Sequence, residues 1–178
     1  MDHSTYCDRR NRRNYGSFIF PRKKSTEKTE WKLWDAPWEK AEYDEEKQKM
    51  YRKQRTENLP CFEYEIIYNQ KHVGWISAYY MTDDFKYNEL DKTNNIAIGI
   101  DIPDETVRGK GVGTKAIKEY LKYFKKFRYS KIYTQTWSGN FRMIHVAEKI
   151  GFKEINRFKD IRSVNGKKYD ALTFVIEL

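Results

Sequence analysis

The stretch from residue 95 to residue 126 constrains the fold of this chain more than any other. Isoleucine stands at positions 96, 98, 100 and 102. Side chains alternate across a strand, so this spacing predicts a strand over Asn95–Ile102 with one wholly aliphatic face. From Val112 the period changes. Val112, Ala116, Ile117, Tyr120, Leu121 and Phe124 recur at helical spacing, and Lys115, Lys118, Glu119, Lys122 and Lys125 fill the opposite side. Between the two lies Arg108-Gly109-Lys110-Gly111-Val112-Gly113-Thr114. Glycine permits positive φ and close approach to backbone. Unpaired N–H groups at a helix start, together with the helix dipole, make such a loop a phosphate cradle.

The remaining chain is punctuated in the same way. Cys61–Tyr68 and His72–Met81 read as strands around an Asn69-Gln70-Lys71 turn, followed by a polar loop over 82–94. Lys131–Gln135 reads as a strand, and Phe141–Ile150 as a helix closed by Gly151. Residues 152–162 and 168–177 read as strands joined by Asn165-Gly166, the strongest short hairpin signal. Upstream, Ser17–Phe20 suits a short strand, and Trp31–Trp38 holds three tryptophans suited to core or lid packing. Glu39–Asn58 suits a charged helix. The order after residue 60 is β-β-β-α-β-α-β-β. It predicts an α/β fold: a single mixed, mostly antiparallel sheet with helices on both faces. The expected organisation is a basic tail over 1–16 and one domain over 17–178.

Composition narrows the function classes. Ten Phe, fourteen Tyr and five Trp supply a core in a chain that is otherwise rich in charge, so disorder is excluded. No apolar run approaches the ~20 residues of a membrane helix, and no signal-peptide pattern opens the chain. Cys7 and Cys61 lack metal-ligand spacing; a reduced cytoplasm and no metal are expected. The net charge is +9, and residues 1–24 carry seven basic groups against Asp2 and Asp8. Such an arm suits plain solvation first, and weak contact with RNA or the ribosome second.

The glycine loop discriminates among phosphate ligands. A nucleotide-triphosphate loop needs G-x-x-x-x-G-K-[ST], which is absent. Gly111-x-Gly113-x-x-Ala116 matches a dinucleotide fingerprint, but no acidic residue follows at the distance needed to hold a ribose. Arg108-x-x-Gly111-x-Gly113 resembles the [QR]-x-x-G-x-[GA] signature of the GNAT acetyltransferase superfamily. Thr136-Trp137-Ser138-Gly139-Asn140 with Ala147-Glu148-Lys149-Ile150-Gly151-Phe152 is similar to its strand–Asn–helix–Gly-Phe segment. The details look most like the RimJ/RimL branch, and the resemblance covers about 60–178.

The resemblance implies a splayed, acyl-CoA N-acyltransferase-like sheet with acetyl-CoA as co-substrate. It implies that the backbone of Ile100, Asp101 and Ile102 pairs with the pantetheine arm. Amides of Gly109, Lys110, Gly111, Val112, Gly113 and Thr114 would hold the pyrophosphate, with charge from Arg108 and Lys110. Asn140 would bond the arm or the acetyl end. The implied reaction is N-acetylation of a primary amine by direct attack, on a protein N-terminus or a small molecule. A monomer or homodimer is expected. The usual proton donor of the family, a tyrosine seven residues after the asparagine, is Ala147 here, and the branch-specific serine is Met143. Thr93-Asn94-Asn95-Ile96-Ala97 holds no carboxylate for the usual base. Asp101, Ser138 and His145 remain as catalytic candidates. Trp34, Trp38, Tyr79, Tyr80 and Trp137 are expected to border the acceptor, and suit a core equally well. The missing acid and base leave a competing reading: a basic RNA- or ribosome-binding module on the same fold without activity.

Overall fold

The computed structural model describes Pro37, Pro60, residues 62–88 and residues 93–178. The basic tail, the expected strand over Ser17–Phe20, the tryptophan cluster around Pro37 and the helix expected over Glu39–Asn58 lie outside the described residues.

Among the described residues, seven strands form one sheet. They are β1 (Glu63–Tyr68), β2 (Lys71–Met81), β3 (Tyr87–Asn88), β4 (Ile96–Asp101), β5 (Lys131–Trp137), β6 (Lys153–Val164) and β7 (Lys167–Glu177). The helices are α1 (Val112–Lys126) and α2 (Phe141–Ile150). The spatial order is β1-β2-β4-β5-β7-β6, with the short β3 added to β2. Among the described strands only the β4–β5 pair is parallel, and its crossover runs through α1. The sheet is therefore mixed and mostly antiparallel.

Turn chemistry sets the register. Asn165 and Gly166 hold φ at 50° and 76°, the primed turn that matches strand twist. The first hairpin is tighter than the three-residue turn expected. Lys71 pairs with Tyr68, leaving Asn69 and Gln70 at φ 48° and 64°. The expected loop over 82–94 contains the two-residue β3, because Tyr80 and Met81 still have a free edge to pair with Asn88 and Tyr87.

Alternation sorts the sheet into two faces. Ile76, Ile96, Ile98, Ile132, Leu172 and Phe174 join α1 and Ala147 of α2 in one core. Both described helices thus pack on this face. Phe124 of α1, fully buried, meets Tyr120, Tyr129 and Phe62 at ring distances of 4.8–5.9 Å; truncating such a side chain costs about 3–5 kcal/mol. The second face carries Met81, Ala97 and Tyr133, with Tyr79, Phe85 and Val175 packed on them.

The sheet splits where the site forms. Ala97 pairs with Tyr133 and Ile98 with Thr134, and there the β4–β5 ladder ends. Yet β4 runs on to Asp101, held by β2, and β5 runs on to Trp137, held by β7. Gly74 makes room for the departing strand: a Cβ there would lie 2.0 Å from the Asp101 carbonyl oxygen.

Candidate functional site

Between the diverging strands opens a cleft of about 690 Å³. Gly99 to Ile102 form one wall, and Thr134 to Thr136 the other. Arg108, Gly109 and Gly111 to Thr114 stand at one end, and α2 contributes Asn140, Arg142, Met143, His145, Val146 and Lys149. Thr134 Oγ1 donates to the Ile98 carbonyl at 2.9 Å, stapling the point where the strands part.

The glycine loop is shaped for an anion. A 3-10 turn over Glu105–Val107, capped by Asp104, brings the chain from β4 to Arg108. Arg108 Nε donates to the Ile102 carbonyl at 3.3 Å, tying the loop to the end of β4. Gly109 and Gly111 have φ of 74° and 77°, and a Cβ on either would meet nothing within 4 Å. Positive φ, more than crowding, explains these two glycines. Gly111 caps α1 with no side-chain hydrogen bond, so the first-turn amides of a fifteen-residue helix face the cleft without a side-chain acceptor. At α2 the same role is filled: Asn140 Oδ1 accepts from the Met143 amide at 3.1 Å. An anion such as a pyrophosphate would suit the α1 end.

The structure brings Ile100, Asp101, Ile102, Arg108, Gly109, Gly111, Val112, Gly113, Thr114 and Asn140 to one cleft. Lys110 borders a smaller pocket behind the loop, with Lys115 and the tip of the first hairpin. Ile100 and Ile102 present side chains to Gly113, their Cδ1 atoms 3.8 and 3.4 Å from where its Cβ would sit, while Ile100 packs against the core. Among the catalytic candidates, Asp101 and His145 line the cleft. Ser138 Oγ accepts from the Asp170 amide of β7 at 3.0 Å. Ala147 is fully buried in the core and offers no proton.

The expected acceptor-side aromatics separate by face. Tyr79 lies on the second face, where its hydroxyl donates to Gln135 Oε1 at 3.0 Å. Tyr80 packs on the helix-bearing face, 5.0 Å from Phe62. Trp137 is 5% exposed, stands edge-on to Tyr169, and covers Gly139 so closely that a Cβ there would meet its ring; it is a packing residue. Sequence reading missed Gly99, Thr134, Gln135, Arg142 and Lys149. The α2 residues had a signal, since 142, 145, 146 and 149 share one helical face with Asn140 at its start. Thr134 and Gln135 had none, because only the divergence of the strands places them beside a cleft.

A mixed sheet parted between two parallel strands, with a glycine-bent and uncapped helix start at its mouth, defines a protein that can hold an extended, anion-headed ligand across its sheet. The chain belongs to the acetyltransferase (GNAT) domain family, whose pattern matches residues 16–153. It is 27% identical over 116 residues to the SPbeta prophage-derived uncharacterized N-acetyltransferase YokL of Bacillus subtilis, covering 56% of this chain and 66% of YokL. It is 31% identical over 115 residues to YwnH of the same organism, covering 65% of this chain and 66% of YwnH. The matches thus span just under two thirds of each relative's length. Among solved structures, the ribosomal-protein-alanine N-acetyltransferase from Brucella melitensis superposes with a TM-score of 0.61 at 17% identity, over 76% of this chain and 80% of that one. The microcin C7 self-immunity acetyltransferase MccE, solved with acetyl-CoA and AMP, superposes with a TM-score of 0.56 at 20% identity, over 74% and 67%. Similarity at these identities establishes the fold. Among the described residues no helix is long and apolar enough to cross a membrane.

Proposed function

We propose that this chain is an N-acetyltransferase that moves the acetyl group of acetyl-CoA to a primary amine, a protein N-terminus or a small molecule. The observation that carries the reading is the uncapped, glycine-bent start of α1 opening into the β4–β5 split. The amides of Gly109 to Thr114 hold the pyrophosphate, with Arg108, Lys110, Arg142 and Lys149 supplying positive charge around it. The backbone of Ile100 to Ile102, beyond the last β4–β5 pair, takes the pantetheine arm as an added strand. Asn140 stands at the edge of that path. Acetyl-CoA supplies the acetyl group as a thioester.

The chain's own task is to orient the thioester and free the amine of its proton. Backbone N–H groups on the open edge of β4 stabilise the thioester oxygen as it gains charge, so that step needs no special side chain. Asp101, on the cleft wall, receives the amine proton directly or through water, and His145 is the second candidate. Attack is direct. Ser138, committed to β7, is the weakest of the three candidates. The RimJ/RimL-like branch and a cytoplasmic site complete the reading; the Brucella fold likeness and the two widely spaced cysteines favour them.

The test is a panel of amines with acetyl-CoA: an N-terminal peptide, an amino acid, a polyamine and an aminoglycoside, read by thiol release. One acceptor should turn over, and Asp101→Asn should lower kcat on it by about a hundredfold. Release no faster than the acetyl-CoA blank on every amine would sink the proposal.

A further inference from the structure

We propose that Gln135 forms the blind end of the cleft and restricts the acyl group to acetyl. This rests on the acetyl-CoA reading above. The cleft has a direction. Its anion end is the α1 start, next to the end of β4. From there the strands converge back toward Ile98 and Thr134, where pairing resumes. At about 3.3 Å per residue, the open stretch from Gly99 to Ile102 is ~13 Å long. An extended arm anchored at the loop therefore points its acyl end at the closed vertex.

Two layers seal that vertex. On the helix-bearing face, Thr134 Oγ1 is bonded to the Ile98 carbonyl. On the second face stands Gln135, the first β5 residue past the last β4–β5 pair. Its amide is held from three sides. Oε1 accepts from the Tyr79 hydroxyl at 3.0 Å; Nε2 donates to the Phe85 carbonyl at 2.8 Å and to Thr173 Oγ1 at 3.1 Å. Those partners come from β2, the turn after β2, and β7. Tyr79 pairs with Ala97 on β4 and must cross that strand to reach β5, which the small Ala97 allows. Both N–H groups of Gln135 are thus spent on fixed partners, and the side chain cannot swing aside without breaking all three bonds. Phe85 holds φ at 63°, so the turn that receives Gln135 is itself a constrained conformation.

A fixed, fully engaged amide at the end of a channel sets a length limit. An acetyl group stops short of it; each added methylene must displace it. Steric discrimination of this kind is worth about tenfold or more per methylene. Gln135 acts on specificity, and Tyr79 acts through Gln135.

Isothermal titration with acetyl-, butyryl- and hexanoyl-CoA tests this without any acceptor amine. The intact chain should bind acetyl-CoA about a hundredfold tighter than butyryl-CoA, which carries two more methylenes. Gln135→Ala should shrink that ratio to near unity by gaining butyryl- and hexanoyl-CoA affinity relative to acetyl-CoA. Tyr79→Phe, which keeps the volume at 135 but frees its Oε1, should give an intermediate ratio; it decides the matter if Gln135→Ala does not fold by circular dichroism. An intact chain that binds all three alike, or variants that bind acetyl-CoA with the ratio unmoved, would overturn the role of Gln135 alone. If the intact chain binds no acyl-CoA at millimolar concentration, the reading of the cleft falls, and this proposal with it.

Discussion

Gly111 and Gly113 are two residues apart and do different work. Gly111 holds φ at 77°, where a β-branched residue is a true outlier. Gly111→Val should cost about 1–3 kcal/mol in a thermal melt and weaken acetyl-CoA binding by at least tenfold. Gly113 has an ordinary φ, and its added Cβ would rest 3.4 Å from Ile102 Cδ1. Gly113→Ala should therefore leave the melt within about 0.5 kcal/mol. The repeating glycines were legible in the sequence; which of them is conformationally obligatory was not, since φ is decided by how the 3-10 turn delivers the loop. Ser138 carries the same lesson. A serine before the asparagine reads as a candidate near the thiol; its hydroxyl oxygen also accepts from the amide of a residue 32 positions away on β7, a contact that no local pattern signals.

Elements explain how the site is held open. α2 starts at the cleft because Asn140 caps it, and Asn140→Ala should destabilise the protein by about 1 kcal/mol. The same change should weaken acetyl-CoA binding if Asn140 also touches the arm, which titration reads separately from the melt. The β6–β7 hairpin is pinned at its bulge. Arg157 bonds Glu154 at 2.7 and 2.8 Å and Asp170 at 2.7 Å, and Asp170 Oδ1 also accepts from the Asp160 amide. The Arg157 guanidinium, then the Asp160 amide, hold the Asp170 carboxyl below the usual carboxylate range. A lowered folded-state pKa adds stability above the ordinary carboxylate value and loses it as pH falls through the lowered one. Amides of the bulge should thus lose exchange protection below about pH 4, while Asp170→Asn should exchange fast at neutral pH with little pH dependence beyond the intrinsic rate.

At the scale of the whole molecule, a ligand that binds only the folded state raises its stability. Acetyl-CoA at a hundred times its dissociation constant should add about 2.7 kcal/mol, which for a chain of this size raises the melting midpoint by roughly 5–10 °C. Free adenine should give no comparable shift, because the proposed anchors are the anion seat and the β4 edge beyond Ile98. The net charge of +9 does not decide this. It contributes long-range attraction for any polyphosphate, screened over about 10 Å at 0.1 M salt.

The sequence by itself determined the periodic elements, the two hairpins, the positions of the helix caps and the glycine loop. Each depends on residues within a few positions of one another: alternation in Asn95–Ile102, the helical face of α1, Asn165-Gly166, and Gly151 at φ 111°. The order of those elements, together with the family resemblance, also made the mixed sheet legible. Only the tertiary structure decided where β4 leaves β5, which side chains the gap exposes, and that Tyr79, Phe85, Gln135 and Thr173 meet there. Those contacts join residues 38–56 positions apart. No local pattern encodes them, because they exist only once two neighbouring strands have been drawn apart by partners on their other edges.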